Sequence, residues 1–271
     1  MYHISCILPN FQQVNGRKMG FYDLAKEERA KLVESIGRMI YAELGQQSCA
    51  ETLAYFSDAD TYIRKSAYLS VRRIYEAYPE FQGIIIERLN RLLKEPDFKV
   101  RQTSVNAAGE IGMRDFKTVR HFFDQGLFDP HHSVRNAVIG SMKKMGEKNP
   151  APVLSWAKTY LHHADKEIRR EICHGIELRG RTHPQDILPL LRELEFDQTA
   201  RVRNTLVHVL GQIAYKKGCL PTVIGHLNGW KNKELVAKAA EEIIDVHERY
   251  KNFSVLSQKE AIVYIKKHLK L

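Results

Sequence analysis

The sequence predicts an all-α protein, folded as a right-handed solenoid of about six stacked helix pairs. Three observations predict this fold: one motif recurs five times, its spacing is almost constant, and each period holds two segments of helical length. In the motif, a turn aspartate precedes an apolar residue, an arginine and a helix. The motif arginines lie 37, 34, 34 and 34 residues apart, at Arg64, Arg101, Arg135, Arg169 and Arg203. A fixed period of this length is typical of stacked-repeat proteins.

The two ends of the chain differ from the repeats. Residues 1–20 show no periodic pattern and are expected to form an irregular segment. Residues 21–271 are expected to form a single solenoid, in which residues 21–44 supply an N-terminal helical cap. Residues 257–271 are expected to supply the C-terminal cap, because they begin with the Ser-x-x-Glu capping box that starts many helices.

Each repeat is expected to hold a first and a second helix. In the fourth repeat these are residues 153–161 and residues 167–178. One further step of the period from Arg203 reaches Ala237, inside the helical segment 232–250, where the arginine is missing but the helical pattern continues. Neither helix of a pair can bury its apolar stripe alone, so the pairs are expected to stack into one continuous core.

The residues that open each second helix resemble those of HEAT repeats, a group with armadillo-like architecture. The run from Asp165 to Arg169, Asp-Lys-Glu-Ile-Arg, shows the pattern. The tetratricopeptide pattern Trp…Leu-Gly…Tyr and the ankyrin run Thr-Pro-Leu-His are absent, although the period is shorter than the usual HEAT period of about 40–47 residues. The resemblance covers about residues 45–250 and implies a HEAT-like α-solenoid. It implies no single function, because solenoids serve many.

The composition is basic. The chain has 42 Lys and Arg residues, 32 Asp and Glu residues and a formal net charge of +10. This excess favours a polyanionic partner such as nucleic acid. A solvated basic surface without such a partner would give the same total, so the positions of the cations matter more than their number.

The sequence carries no sign of a membrane span or of a disulfide framework. No stretch approaches about 18 consecutive apolar residues, and the first residues lack the basic start and long apolar stretch of a signal peptide. The four cysteines, Cys6, Cys49, Cys173 and Cys219, form no Cys-x-x-Cys pair. These observations favour a cytoplasmic protein with reduced thiols.

Helical periodicity assigns a buried and an exposed face to each second helix. Counted from the motif arginine as position 0, positions −1, +3, +7 and +10 share one apolar stripe and are expected in the core. In the fifth repeat these residues are Val202, Leu206, Leu210 and Ile213. Positions +1, +5, +8 or +9 and +12 lie opposite and are expected on an inner, concave face.

The predicted inner face of the third to fifth repeats carries amides, imidazoles and cations, which can contact phosphates, sugars and base edges. Nucleic-acid contacts are therefore expected from Asn136, Lys143, Lys144, Arg170, His174, Arg181, Asn204, His208, Gln212, Lys216 and Lys217. Glu110, Glu177 and Tyr215 fall on the same face. Lys216 and Lys217 belong to a ridge of cations in the loops that follow the second helices. A solvated polar face, with cations placed to complement helix dipoles, is the alternative.

The motif arginines are expected to be structural rather than ligand-binding. Each lies near a turn aspartate of its own repeat or of a neighbouring one. An Asp–Arg ladder of this kind would satisfy backbone groups and link successive repeats.

No motif indicates a metal site, a cofactor or a catalytic centre. The adjacent histidine pairs at 131–132 and 162–163 lie at turns rather than one helical turn apart. HExxH, GxSxG and the phosphate-binding loop are absent. His174 and His208 share a register one repeat apart and are expected to be stacked neighbours, with no thiol or carboxylate at ligand spacing.

The fourth and fifth repeats resemble the HEAT-like alkylpurine DNA glycosylases. The resemblance is carried by residues 164–175, Ala-Asp-Lys-Glu-Ile-Arg-Arg-Glu-Ile-Cys-His-Gly, and by residues 197–217. In that family a concave arginine contacts the DNA backbone, and a concave histidine or aromatic residue lies beside the lesion. Arg170 and His208 match these two positions. The resemblance implies DNA binding in the context of alkylation repair.

The same resemblance lacks a catalytic carboxylate. The best-known branch places one on the preceding repeat, where it stabilises the positive charge of the departing base. This chain has Asn136 and Gly140 there, and the closest acids, Glu110, Glu171 and Glu177, are out of register. Whether the chain is an enzyme therefore stays open, and no catalytic residue is assigned.

Three functions follow in order of preference. The first is binding of double-stranded DNA through a basic inner face, in the context of alkylation repair. The second is a protein-interaction scaffold or adaptor whose groove holds an acidic partner. The third is an active alkylpurine DNA glycosylase. No cofactor is expected for any of them.

Overall fold

Helices dominate the computed structural model of the chain. The described residues are 13–14, 17–18, 20–46 and 48–271. The irregular segment predicted at residues 1–20 lies largely outside the described residues, and so does Cys6. Within that segment, strands β1 (Gln13–Val14) and β2 (Arg17–Lys18) pair antiparallel.

Two compact units divide the chain, residues 1–107 (unit 1) and residues 108–271 (unit 2). The helices of unit 1 are α1 (Lys26–Glu43), α2 (Ala50–Ser57), α3 (Thr61–Ala77) and α4 (Gln82–Leu92). Helix α5 (Phe98–Gly112) crosses the boundary between the units. Within unit 1, α3 packs against both α1 and α2.

Unit 2 continues the series of helices. They are α6 (Phe116–Gly126), α7 (His132–Lys148), α8 (Pro150–Lys158), α9 (Lys166–Gly175), α10 (Glu177–Gly180), α11 (Pro184–Arg192), α12 (Ala200–Ala214), α13 (Cys219–Leu227), α14 (Lys233–Arg249) and α15 (Gln258–His268). The motif arginines of this unit lie in α7, α9 and α12, which with α14 are its second helices. Helix α9 packs against α7 and α12, and α12 packs against α14. The fold is an all-α solenoid of helix pairs, as predicted.

The motif aspartates start the second helices. The Oδ1 atoms of Asp129, Asp165 and Asp197 each accept a hydrogen bond of 2.8 Å from the backbone N–H two residues further on. Asp165 is the N-cap of α9 and satisfies a backbone donor of its first turn, whereas Asp129 and Asp197 bind the N–H groups of the N-cap residues of α7 and α12. In all three repeats the second helix begins three residues before the motif arginine, and an aspartate holds the turn at or just before that point.

The predicted core stripe is confirmed in the third and fifth repeats. Every member is fully or almost fully buried: Val134, Val138, Met142, Met145, Val202, Leu206, Leu210 and Ile213. Complete burial of a Val, Leu or Ile side chain contributes roughly 1.5–3 kcal/mol. The stripe thus supplies much of the free energy that holds neighbouring second helices together.

The helix bounds predicted for the fourth repeat are wrong in two places. The first helix, α8, runs from Pro150 rather than from Val153, because proline is well suited to the first helical position. The second helix is not continuous but breaks into α9 and α10 at Ile176, directly after Gly175. A β-carbon on Gly175 would meet the terminal methyl group of Met142, which would have to move, and the glycine itself weakens the helix at this point.

The segments predicted to form caps are helical at both ends of the described chain. In α15, Glu260 Oε2 accepts from the N–H of Ser257 at 2.7 Å, and Ser257 Oγ accepts from the N–H of Glu260 at 3.3 Å. At the other end, a short 3₁₀ turn (Phe21–Asp23) precedes α1, so the predicted N-terminal helix is two elements. No helix within the described residues is long and apolar enough to cross a membrane.

Candidate functional site

The motif arginines bind the carbonyl groups of their own turns. Nη1 of Arg135 donates to the carbonyl oxygens of Asp129 at 2.7 Å and Pro130 at 3.2 Å. Arg169 repeats this contact in its own turn and also binds both carboxylate oxygens of Asp197, at 2.5 and 3.1 Å. The geometry agrees with the expected structural role, although carbonyl oxygens recur as partners more regularly than carboxylates do.

A charge cluster lies on the second-helix face of unit 2, defined here as the side of α7, α9, α10, α12 and α14 opposite the core stripe. The cluster consists of Lys143, His174, Glu177, Arg181 and Gln212. Glu177 is its centre and is only 1% exposed. Oε2 of Glu177 lies 3.2 Å from Nζ of Lys143 and 3.1 Å from Nε2 of His174, and Oε1 accepts from Nη2 of Arg181. The same Arg181 nitrogen donates to Oε1 of Gln212 at 3.0 Å.

These contacts keep Glu177 ionised. Burial alone would raise the pKa of the carboxyl group, but the hydrogen bond with His174 and the charges of Lys143 and Arg181 outweigh burial and lower the pKa to about 2. The three predicted site residues around Glu177 are thus brought together by a carboxylate that offsets their positive charge.

Two further predicted cations are held in the same way. Nζ of Lys144 lies 2.8 Å from the buried carboxylate of Glu110. Nε of Arg170 binds Glu167 at 2.9 Å, and its Nη2 lies 3.4 Å from Glu171. Burial raises the pKa of Glu171 more than the neighbouring arginines lower it. The second-helix face is therefore a lattice of alternating charges rather than a bare basic surface.

The prediction that His174 and His208 are neighbours is confirmed. Their ring centroids lie 6.1 Å apart in an edge-to-face arrangement. Nδ1 of His208 lies 3.6 Å from a carboxylate oxygen of Glu242, which also lies 3.4 Å from Arg249. The expectation that no carboxylate lies at ligand spacing from these histidines was wrong. Ligand atoms of His174, Glu177 and His208 lie within 4.8 Å of one another, so these residues could hold a metal ion.

Several residues predicted on the exposed inner face are buried, so the exposure predicted for them was wrong. Gln212, Tyr215, Glu110 and Glu177 are all at least nine-tenths buried. Each lies in the later half of its second helix or just beyond it, where long side chains of a neighbouring repeat cover it, as Arg181 covers Gln212. The periodicity of a single helix does not predict burial by side chains of another repeat.

The remaining predicted residues stay accessible. The amides of Asn136 and Asn204 are exposed, and so is Lys217. Lys216 is half-buried, and its ammonium lies 4.5 Å from the ring centroid of Tyr215. These residues are not part of the charge cluster.

The sequence contained an unused signal for the buried carboxylates. Glu110 and Lys144 are 34 residues apart, and so are Lys143 and Glu177. This spacing equals the repeat period, so residues that share it occupy equivalent heights in adjacent repeats. A search for opposite charges one period apart would have found both pairs.

A cleft lies between the first turns of α12 and α14. Its volume is about 240 Å³, and its wall includes Phe196, Arg203, Asn204, Val207 and Lys238. Phe196 is 55% exposed, which is high for a phenyl ring. We call this feature the α12–α14 cleft. Among the described residues that line the cleft, Asn204 is the only one that was also predicted as a site residue.

The chain matches no protein-family model, and it matches no curated protein. Solved structures that it resembles are helical repeat proteins. A TOG domain of crescerin, a protein described as using a TOG domain array to regulate microtubules in the primary cilium, shares 15% identity over 83% of this chain and 91% of that chain, with a TM-score of 0.47.

Two other similar structures are more distant in shape. A computationally designed armadillo repeat protein for modular peptide recognition shares 17% identity over 72% of this chain and 98% of that chain, with a TM-score of 0.32. The complex of CpcE and CpcF of phycocyanin lyase from Nostoc sp. PCC7120 shares 14% identity over 83% and 96%, with a TM-score of 0.32. Values this low do not transfer a function to this chain, so its function has to be inferred from its own surfaces.

Proposed function

We propose that this chain is a scaffold that binds a partner protein, and that the α12–α14 cleft holds an acidic, partly apolar segment of that partner. The observation that carries the proposal is the mixed wall of the cleft. Phe196 offers apolar contact, and Arg203 attracts carboxylates. Lys238 also lines the cleft, where its ammonium lies 2.6 Å from Glu234; both side chains of this pair are exposed, so a carboxylate of the partner can replace Glu234 at little cost. The amide of Asn204 can both donate to and accept from a peptide backbone. An aromatic anchor with a polar rim is the usual composition of a protein interface.

The pairing of the face cations also supports a protein partner over a DNA duplex. Lys143, Lys144 and Arg170 are each held by a carboxylate of unit 2. Affinity for duplex DNA comes mainly from cations that replace the counterions of phosphates, and a cation that is already paired contributes less. Residues 108–271 carry a net charge of +8 of the total of +10, which still favours an acidic partner.

The proposal is tested with labelled acidic peptides that contain an aromatic or leucine residue, using fluorescence anisotropy. Phe196→Ala should weaken binding by roughly tenfold, because an aromatic anchor at an interface commonly contributes more than about 1 kcal/mol. Lys238→Glu should weaken binding and slow association, since it reverses the attraction for carboxylates.

Phe128 provides a matched control. It precedes the motif aspartate two repeats earlier, as Phe196 does, and is 54% exposed. Phe128→Ala should leave peptide affinity unchanged. Equal losses in both variants would place the peptide elsewhere. Failure of every acidic peptide to bind, together with saturable binding of duplex DNA, would overturn the proposal in favour of a nucleic-acid partner.

A further inference from the structure

Two side chains three residues apart and a third from the next repeat bring metal-ligand atoms together on the second-helix face. His174, Glu177 and His208 each offer one such atom, and the atoms lie within 4.8 Å of one another. They project from α9, α10 and α12, whose positions are fixed by the core. Glu177 is buried, whereas both imidazoles are partly exposed, so an ion can reach them from solvent. Two imidazoles and a carboxylate form the donor set of zinc sites that keep one position open.

The ammonium of Lys143 lies where two of these ligands would hold a cation. Its Nζ is 2.9 Å from Nε2 of His174 and 3.2 Å from Oε2 of Glu177. The same imidazole nitrogen is 3.1 Å from the same carboxylate oxygen. One ring nitrogen cannot accept from the ammonium and donate to the carboxylate at once, so one contact is always unsatisfied. A metal ion removes this conflict, because the nitrogen and the oxygen then both donate electron pairs to it.

The surrounding side chains leave the ligand atoms available and hold them in place. Arg181 binds Oε1 of Glu177, so Oε2 can face a metal. Glu242 lies 3.6 Å from Nδ1 of His208. At this distance Glu242 makes no direct hydrogen bond, but its negative charge favours a cation bound by the ring.

We propose that His174, Glu177 and His208 form a binding site for Zn²⁺ or a similar divalent transition-metal ion, which displaces the ammonium of Lys143. The two imidazoles favour a transition metal over Mg²⁺ and Ca²⁺, which take oxygen ligands. Three protein ligands leave a position for water or for a carboxylate from outside the chain. The site is separate from the residues that line the α12–α14 cleft, so it does not depend on the proposed function.

The test uses the full chain, stripped of metal, in a competition titration of Zn²⁺ against a chromophoric chelator. Wild type should bind one ion per chain, and Co²⁺ should give the visible d–d absorption of a site with few ligands. His174→Ala and His208→Ala should each weaken Zn²⁺ binding by at least about tenfold. His132→Ala should not, because His132 is an exposed residue at the start of α7. Circular dichroism checks that each variant is folded.

Two lysine variants distinguish a metal site from a purely structural ion pair. Lys143→Met should tighten Zn²⁺ binding by about tenfold, because the competing charge leaves the ligands. Lys144→Met should change it little, since Lys144 is held by Glu110 instead. Zn²⁺ binding that survives both His174→Ala and His208→Ala would overturn the proposal. So would binding that appears only after Lys143→Met, because the native chain would then hold no metal.

Discussion

Asp197 links two repeats through one carboxylate. It accepts from the N–H of Thr199 at 2.8 Å, which starts α12, and it binds the guanidinium of Arg169 from the preceding repeat. Burial alone would raise the pKa of Asp197, but the hydrogen bonds from Arg169 and Thr199, together with the arginine charge, outweigh burial and lower the pKa. A group with this shift makes stability depend on pH in a defined direction.

In Asp197→Asn the free energy of unfolding should therefore depend less on pH in the acid range than it does in wild type. The folded pKa is below the unfolded one, so the contribution of Asp197 is present above the unfolded value and is lost as pH falls through the folded value. Near neutral pH the variant should lose about 1.5–3 kcal/mol, the usual contribution of a charged hydrogen bond. Between about pH 5 and about pH 2 its melting temperature should fall less than that of wild type.

Asp165→Asn is the control, because Asp165 accepts the same kind of hydrogen bond from the N–H two residues further on but is exposed. Thermal melts by circular dichroism over this pH range compare the two variants. An equal loss of pH dependence in both would show that this hydrogen bond, rather than the buried pair with Arg169, determines the pH dependence in the acid range.

At the scale of the helices, two glycines in second helices have opposite surroundings. A β-carbon on Gly109 of α5 would overlap the hydroxyl and β-carbon of Ser141 on α7. The same atom on Gly140 of α7 would meet nothing within 4 Å. The absence of a side chain is thus required for close helix packing at Gly109 and has no packing reason at Gly140.

Gly109→Ala should lower the free energy of unfolding by roughly 1–3 kcal/mol, because the added methyl group overpacks a tight contact. Gly140→Ala should raise it by about 0.5–1 kcal/mol, because alanine has the higher helix propensity and there is space for its methyl group. Urea denaturation measures both values. A stabilised Gly109→Ala would mean that α5 and α7 can separate at no cost.

For the whole molecule, the sequence predicts which residues of one helix face the core, but it does not predict which residues are covered by a neighbouring repeat. The core stripe, such as Val202 and Leu206, follows from periodicity, because a helix turns by a constant angle. The burial of Glu177 and Gln212 does not, because side chains from the neighbouring repeat cover them. The α12–α14 cleft was missed for the same reason: Phe196 and Lys238 meet only after two repeats stack.

The distribution of charge over unit 2 leads to the last prediction. The cations of the charge cluster are paired with carboxylates. Exposed lysines lie instead at the ends of second helices, such as Lys148, the last residue of α7, and Lys217, which follows α12. Contact with two or three phosphates would give log affinity for duplex DNA a slope against log salt of roughly −2 to −3. We expect such weak, electrostatic binding, measured by anisotropy at several salt concentrations.

Two lysine variants show which lysines contact the phosphates of the duplex. Lys217→Ala should make the slope shallower by about one, the effect of losing one phosphate contact. Lys144→Ala should leave the slope almost unchanged, because its ammonium is held 2.8 Å from Glu110. A slope near −6 that becomes shallower in Lys144→Ala would require the opposite conclusion: about six or seven phosphates would be contacted, and the paired cations of the second-helix face would have to leave their carboxylates when the duplex binds.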